Sequence, residues 1–188
     1  MITGIERVST GLDRSFNTHV INKLRTSPNW IISNDEDEVT VYSEHPKDAI
    51  CDSGFLNLTY DIARPNDINK HFMELNVLAE VILSTVISKQ QKFKFHNISI
   101  QRYLWNYYNR SSCGAPHWDG VSGNLCSIVY YLNTCDAYTI FDDKHFECIM
   151  GDSLIFNSIL IHKGTGPSLS RNKFCLNIMF KYDVVEGK

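Results

Sequence analysis

The 188-residue sequence lacks several features that would indicate whole classes of protein. No window approaches the roughly 18 apolar residues that a membrane-spanning helix needs. The N-terminus, MITGIERVSTGLDRSF, has no apolar stretch of the kind that forms a signal peptide. There is also no internal repeat, no low-complexity tract and no Pro/Gly-rich linker. These absences predict a single domain over residues 1–188, located in the cytoplasm and without a membrane partner.

Charge and cysteine usage exclude further classes. The net charge of −3 gives no basic excess of the kind that nucleic-acid-binding proteins carry, so no nucleic-acid partner is expected. The six cysteines include no C-x-x-C pair, which gives a zinc ribbon no support. Because cytosolic proteins rarely form disulfides, we expect all six to be reduced, buried thiols.

The first half of the chain carries helical periodicity. Apolar residues recur on one stripe within Ser15–Thr26, at the three- and four-residue steps of an amphipathic helix. A second helix is predicted to begin at Asn66 or Asp67, both good N-caps, and to continue to about Gln90. Residues 1–95 are therefore expected to form a helical support region that packs on the rest of the domain.

From residue 96 onward the apolar period changes to two. Runs rich in Ile, Val, Tyr, Phe and Thr alternate with turn residues, which is the pattern of short strands. The strands are predicted near Ile98–Tyr108, His117–Asp119, Leu125–Asn133, Tyr138–Phe141, Phe146–Met150, Ser153–Ile161 and Lys173–Tyr182. Strands of this number and spacing predict a mainly β sandwich or jelly roll over residues 96–183, with the N-terminal helices packed on one sheet.

The last predicted strand separates two environments. Its apolar face is expected to lie under the helices and consists of Phe174, Leu176, Ile178, Phe180 and Tyr182. Its opposite face is mixed and consists of Arg171, Lys173, Cys175, Asn177 and Met179. We expect the mixed face to line a cavity, in which Arg171 or Lys173 could meet an anion.

His117 and Asp119 are candidate metal ligands. Side chains two residues apart on an extended chain point the same way, roughly 6–7 Å apart along the strand, so both can reach one ion. A third ligand from a distant strand would complete a triangular face. Two histidines and one carboxylate on one face leave three positions open, which suits Fe(II) oxygen chemistry. His-x-Asp alone is weak evidence, and the order of the surrounding motifs carries more weight.

Several motifs surround the His-x-Asp pair in a defined order. In sequence they are Tyr107-Tyr108, His117-Trp118-Asp119, the run IVYYLN at 128–133, the run GDSLIF at 151–156, the run HKGT at 162–165, and Arg171. This order and spacing resemble the double-stranded β-helix, a cupin-like jelly roll, of the 2-oxoglutarate- and Fe(II)-dependent oxygenases. The prolyl-hydroxylase branch is the most similar, and the resemblance covers about 85 residues.

The resemblance implies roles for individual residues. His117, Asp119 and His162 would bind iron. The family binds the far carboxylate of 2-oxoglutarate with an Arg or Lys on the last strand, and a guanidinium can grip a carboxylate with two hydrogen bonds. Arg171 follows His162 by nine residues and is the favoured candidate, with Lys173 as the alternative.

Two tyrosines also match family positions. Tyr131 matches a tyrosine whose hydroxyl assists the carboxylate site. Tyr107 matches a tyrosine in the pocket ahead of the metal, although the adjacent Tyr108 could take that place. Two departures stand beside these matches. Asp136–Thr139 replaces a frequent Gly-Gly-containing segment, and Asn177 stands where the DNA-repair branch has a second arginine, which counts against nucleobase demethylation.

The function implied by the resemblance is that of a 2-oxoglutarate-dependent dioxygenase that hydroxylates an unactivated C–H bond. Fe(II), 2-oxoglutarate and O₂ would be the cofactor and cosubstrates, and no catalytic residue is assigned beyond the metal ligands. The substrate would be small or peptidyl, with a prolyl residue as the leading candidate. The alternative is a metal-binding jelly roll that acts as a sensor or binding module without oxygenase turnover.

Overall fold

The computed structural model describes residues 4–26, 31–33, 55–61, 73–110, 112–170 and 172–183. In these ranges the elements are β1 (Ile5–Ser9), α1 (Arg14–Thr26), β2 (Ile31–Ser33), β3 (Phe55–Asp61), α2 (Met73–Lys89), β4 (His96–Asn109), β5 (Leu125–Tyr131), β6 (Cys135–Phe141), β7 (Lys144–Cys148), β8 (Asp152–Asn157), β9 (Lys163–Gly164) and β10 (Asn172–Asp183). None of the helices in these ranges is long and apolar enough to cross a membrane.

The strands form two antiparallel sheets. The larger sheet has seven strands in the order β1-β8-β5-β10-β4-β3-β2, and the smaller has three in the order β7-β6-β9. Strand β10 lies in the middle of the larger sheet and pairs with β4 and β5. The prediction of a mainly β jelly roll is confirmed.

The two helices pack on one face of the larger sheet. Val20 and Leu24 of α1 and Ile82 of α2 are fully buried there and share one apolar cluster with β10. The five residues of the predicted apolar face of β10 all belong to that cluster, so this prediction is correct. A second apolar cluster lies on the opposite face of the larger sheet, against the smaller sheet.

The N-terminal half differs in part from the prediction. Helix α1 begins one residue before the predicted Ser15, whereas Asn66 and Asp67, the predicted start of the second helix, lie outside the described residues. The description of residues 1–95 as a helical region is wrong, because β1 pairs with β8 and β3 pairs with β4. An added strand is held by backbone hydrogen bonds, and a segment as short as β1 shows too few alternations for the sequence pattern to reveal it.

The cysteines also differ in part from the prediction. Cys126, Cys135, Cys148 and Cys175 are free and buried, as expected. Cys113 takes part in a disulfide, so the expectation that all six thiols are reduced is wrong. Cys113 lies outside the strands, in the segment that leads to His117, whereas the four free thiols are enclosed within the sheets.

Tyr130 connects the larger sheet to α1 and provides a test of this packing. Its hydroxyl donates to Asn17 Oδ1 at 2.7 Å, and both side chains are fully buried. Tyr130→Phe would leave this amide oxygen without a donor, so we expect the free energy of unfolding to fall by about 1–3 kcal/mol. Urea unfolding measures this. Tyr138→Phe, at a partly exposed tyrosine, is the control and should change the value by less than about 0.5 kcal/mol. Equal effects of the two variants would contradict the prediction.

Candidate metal centre

The three predicted ligands converge between the two sheets. His117 Nε2 lies 3.8 Å from Asp119 Oδ1, and His162 Nε2 lies 3.7 Å from Asp119 Oδ2. One potential ligand atom from each residue lies within 4.8 Å of the other two. In the part of the chain that the structure describes, this is the one group of three or more His, Cys, Asp or Glu side chains close enough to hold a metal ion.

A backbone bridge holds the two histidines side by side. The His117 amide donates to the His162 carbonyl at 2.9 Å, the reverse bond measures 2.8 Å, and the ring centroids are 4.6 Å apart. The predicted strand at His117–Asp119 is therefore wrong, since the segment forms this single bridge alone. The predicted strand Ser153–Ile161 is also too long. The chain turns after Asn157, and this turn carries His162 back to His117.

Both imidazoles are oriented by carbonyl oxygens. His117 Nδ1 lies 2.9 Å from the Ala115 oxygen, and His162 Nδ1 lies 3.0 Å from the Leu160 oxygen. A carbonyl can only accept a hydrogen bond, so each Nδ1 carries a proton, and Nε2 is the nitrogen that has the lone pair in the neutral ring. Metal-binding histidines have this arrangement, in which the second ring nitrogen donates to a fixed acceptor. The donor set therefore fits a divalent transition metal.

Burial and neighbouring charges set the protonation states of the buried ligands. Burial lowers the pKa of His162 to about 4, although the nearby Asp119 carboxylate acts in the opposite direction. Burial raises the pKa of Asp119, but His162, Arg102 and His117 outweigh this and hold the pKa well below its ordinary range. At pH 7 the centre thus offers a neutral His162 and an ionised Asp119.

The centre is accessible from one side. The side chains of His162 and Asp119 are 4% and 1% exposed, whereas that of His117 is 31% exposed. The Phe141 ring stacks on the His162 ring at 5.3 Å, and the Phe156 ring contacts it edge-on at 4.8 Å. The aromatic side therefore fixes His162 and excludes water, and an ion or substrate would approach past His117.

Two residues that sequence reasoning did not assign to the metal site hold the Asp119 carboxylate. Arg102 Nη2 donates to Oδ1 at 2.9 Å, and Asn177 Nδ2 donates to Oδ2 at 2.9 Å. Strand parity had placed Asn177 on the cavity face, but the sequence contains no signal that Arg102 contacts Asp119. That contact depends on how β4 lies relative to the turn that carries the carboxylate.

A buried lysine lies on the same face of β10 as Asn177. Lys173 is 1% exposed, and its Nζ donates to the carbonyl oxygens of Tyr138 at 3.1 Å and Thr165 at 3.3 Å. Among the described residues, no carboxylate lies within ion-pair distance of it. Asn177 lies four positions after Lys173 on this strand, a span of about 13 Å. A buried ammonium with no described carboxylate partner is suited to bind an anion.

The other predicted residues occupy different positions. Arg171, the favoured anion-binding residue, lies outside the described residues, so its role stays a prediction. Tyr131 is fully buried, its hydroxyl donates to Thr139 Oγ1 at 2.8 Å, and its ring centroid lies 5.9 Å from Lys173 Nζ. Tyr131 and Thr139 thus lie beside the buried ammonium.

Of the two adjacent tyrosines, Tyr108 is the one that faces the site. The Tyr107 ring packs on Phe174 at 4.9 Å, on the helix side of the sheet, whereas Tyr108 belongs to the cluster on the site side. The Tyr108 ring centroid lies 4.7 Å from Lys173 Nζ. The assignment of Tyr107 to the pocket is therefore wrong, because successive residues of a strand point to opposite faces.

No protein-family model matches the sequence, and no curated protein matches it. Solved structures are similar to it in fold. The viral collagen prolyl hydroxylase of Paramecium bursaria Chlorella virus-1, in complex with 2-oxoglutarate, has a TM-score of 0.59 at 14% identity, covering 96% of this chain and 97% of that one. The Trichoplax adhaerens prolyl hydroxylase, in complex with a hypoxia-inducible-factor peptide, has a TM-score of 0.60 at 15% identity, covering 95% and 78%.

A third similar structure carries out a different reaction. The non-haem α-ketoglutarate-dependent carbocyclase SnoK from nogalamycin biosynthesis has a TM-score of 0.63 at 7% identity, covering 95% of this chain and 79% of that one. At these identities the likeness concerns the fold. The chain has the jelly-roll fold of 2-oxoglutarate-dependent non-haem oxygenases.

Proposed function

We propose that the protein is a 2-oxoglutarate- and Fe(II)-dependent dioxygenase that hydroxylates an unactivated C–H bond. The observation that carries this proposal is the combination of the His117–Asp119–His162 face with the buried ammonium of Lys173. A metal site alone would need no buried cation on the same face of β10. A dicarboxylate cosubstrate would need both, because its keto-acid end would bind the metal and its far carboxylate would need a positive partner.

The metal would be held by Nε2 of His117, Nε2 of His162 and the Asp119 carboxylate. When bound, Fe(II) supplies the redox chemistry with O₂ that a C–H bond of this kind requires. The protein orients the metal ligands and excludes water from the site. The carbonyls of Ala115 and Leu160 keep both imidazoles in the metal-binding tautomer.

The far carboxylate of 2-oxoglutarate would pair with Lys173. The Tyr108 ring lies against the ammonium and supports the positive charge, which an aromatic face attracts. Tyr131 and Thr139, which are hydrogen-bonded to each other, offer hydroxyl groups beside it. The sequence favoured Arg171 for this role. We favour Lys173, because a charge that is buried needs an anionic partner to compensate it.

A prolyl residue in a peptide is the substrate that we propose first. The motif order is most similar to the prolyl-hydroxylase branch, and two of the similar structures are prolyl hydroxylases. The carbocyclase shows that the same fold also serves other reactions. Mass spectrometry would compare proline-containing peptides with free amino acids, and the gain of one oxygen atom by a free amino acid alone would overturn this choice of substrate.

Formation of succinate tests the proposed activity itself. The purified protein with Fe(II), O₂ and 2-oxoglutarate is expected to form succinate, and a chelator should stop the reaction until Fe(II) is restored. Zn(II), which has no redox chemistry, should not replace Fe(II). Binding of Fe(II) and 2-oxoglutarate without succinate formation, across peptide and amino-acid substrates, would favour the sensor or binding module instead.

Gly164 provides a test of the assigned 2-oxoglutarate pocket. A methyl group at this position would stand 2.7 Å from the Tyr108 hydroxyl oxygen and 3.4 Å from Lys173 Nζ. Overpacking of this kind costs about 1–3 kcal/mol. We therefore expect Gly164→Ala to raise the apparent KM for 2-oxoglutarate at least about fivefold, at about 1.4 kcal/mol per tenfold. Metal affinity without cosubstrate should not change. An unchanged KM in the folded variant would place the cosubstrate elsewhere.

A further inference from the structure

We propose that Arg102 is a positioning residue that restricts Asp119 to a single-oxygen metal ligand and so keeps a third coordination position open. The inference rests on the proposed metal site and extends it to a residue that is not itself a ligand. Its basis is the different character of the two donors that hold the Asp119 carboxylate.

Each carboxylate oxygen of Asp119 accepts a hydrogen bond from a different strand, and the neutral Ser127 side chain of β5 is a further donor to the carboxylate. Arg102 reaches Oδ1 from β4, and Asn177 reaches Oδ2 from β10. The carboxylate itself is 1% exposed, whereas the Arg102 side chain is 22% exposed. Rotation of the carboxylate would break both bonds in a buried environment, so the two donors determine which way each oxygen faces.

The two donors differ in charge, and this difference selects the oxygen that binds metal. The guanidinium on Oδ1 is a permanent cation, which repels a second cation at the same oxygen. The Asn177 amide is neutral and leaves a lone pair of Oδ2 available. Each oxygen lies near one histidine, Oδ1 at 3.8 Å from Nε2 of His117 and Oδ2 at 3.7 Å from Nε2 of His162, so the charge of the donor and not distance distinguishes them. The metal is therefore expected on Oδ2, with Oδ1 held away by Arg102.

Single-oxygen binding matters because of the number of positions that the chemistry needs. Two imidazoles and one oxygen leave three positions of an octahedral ion open. With the metal bound, a keto acid that chelates it would need two open positions, and O₂ chemistry would need a third. A carboxylate that bound through both oxygens would occupy one of these positions. Arg102 would thus keep the coordination position for O₂ open, although it is not itself a metal ligand.

A role restricted to stabilising the fold makes the opposite prediction. If Arg102 served only to neutralise a buried carboxylate, its removal would disorder Asp119 and weaken metal binding. Under the positioning role, removal takes a repelling cation away and frees Oδ1. Metal should then bind more tightly, and with fewer water molecules.

Mn(II) is a suitable probe because it is paramagnetic and needs no cosubstrate. Water-proton relaxation of the Mn(II)-loaded protein reports both the dissociation constant and the number of bound waters. We expect about three waters in the wild type, matching the open positions of the triad, and about two in Arg102→Met. We also expect the Arg102→Met dissociation constant for Mn(II) to fall at least about tenfold, given the size of charge–charge interactions near a protein surface.

Two further variants separate charge from hydrogen bonding. Arg102→Gln keeps an N–H donor but not the charge, so it should also tighten Mn(II) binding. Arg102→Lys keeps the charge and should restore three waters and the wild-type dissociation constant. Arg14→Met, which removes an exposed arginine of α1, is the matched control and should leave both quantities unchanged.

The outcomes distinguish this inference from the proposed function. Three waters and an unchanged dissociation constant in both Arg102→Met and Arg102→Gln would overturn the inference and leave the metal site standing. Weaker Mn(II) binding in both variants would overturn it too, in favour of the purely stabilising role. A wild-type protein that binds no Mn(II) or Fe(II) would instead overturn the proposed function.

Discussion

His117→Ala and His162→Ala are each expected to reduce 2-oxoglutarate turnover below a tenth of the wild-type rate and to lower iron affinity greatly. Each substitution removes one of two nitrogen donors, and a transition metal held by three protein atoms depends on every one of them. The backbone bridge between the two residues does not involve the side chains and should persist. Asp119→Ala would keep both imidazoles and is expected to retain weak metal binding.

Iron titration and succinate formation measure these effects, with circular dichroism as the check that the fold survives. His145→Ala is the matched control, because His145 is exposed on β7 and no role is assigned to it. We expect wild-type values for this control. Either ligand variant that kept more than a tenth of the wild-type turnover would show that the ligand assignment is wrong.

Lys173→Met is expected to raise the apparent KM for 2-oxoglutarate by about two orders of magnitude or more. Removing one partner of a buried ion pair typically costs about 3–5 kcal/mol, because the other charge is left uncompensated. At about 1.4 kcal/mol per tenfold, this corresponds to at least a hundredfold. Methionine keeps much of the length and apolar volume of lysine, so the fold and the iron affinity without cosubstrate should change little.

Arg171→Ala is the companion variant and should raise the apparent KM less than tenfold. A 2-oxoglutarate titration of both variants at saturating Fe(II) gives the ranking. The reverse ranking would move the carboxylate site to Arg171, the residue that the sequence alone favoured. No effect from either variant would leave the metal ligands in place but remove the reason for naming 2-oxoglutarate as the cosubstrate.

Much of the fold could be predicted from the local pattern of apolar and polar residues. The two-residue period after residue 96 predicted the sheets, and the alternation within β10 predicted which face the helices cover. Motif order predicted that His117, Asp119 and His162 would come together. Strands β1, β2 and β3 were not predicted, because a strand added at or near the edge of a sheet is held by backbone bonds that leave little trace in side-chain pattern.

The sequence by itself determined the periodicity of the apolar residues, the two faces of each strand and the order of the metal ligands. All three depend on neighbours along the chain. Only the tertiary structure decided that Tyr108 rather than Tyr107 faces Lys173. It also decided that Arg102 and Asn177 hold the two oxygens of Asp119. These contacts depend on the register between strands far apart in sequence, and on where the turns end. Residue spacing carries no information about either, so the surroundings of the metal ligands could be seen only once the strands were paired.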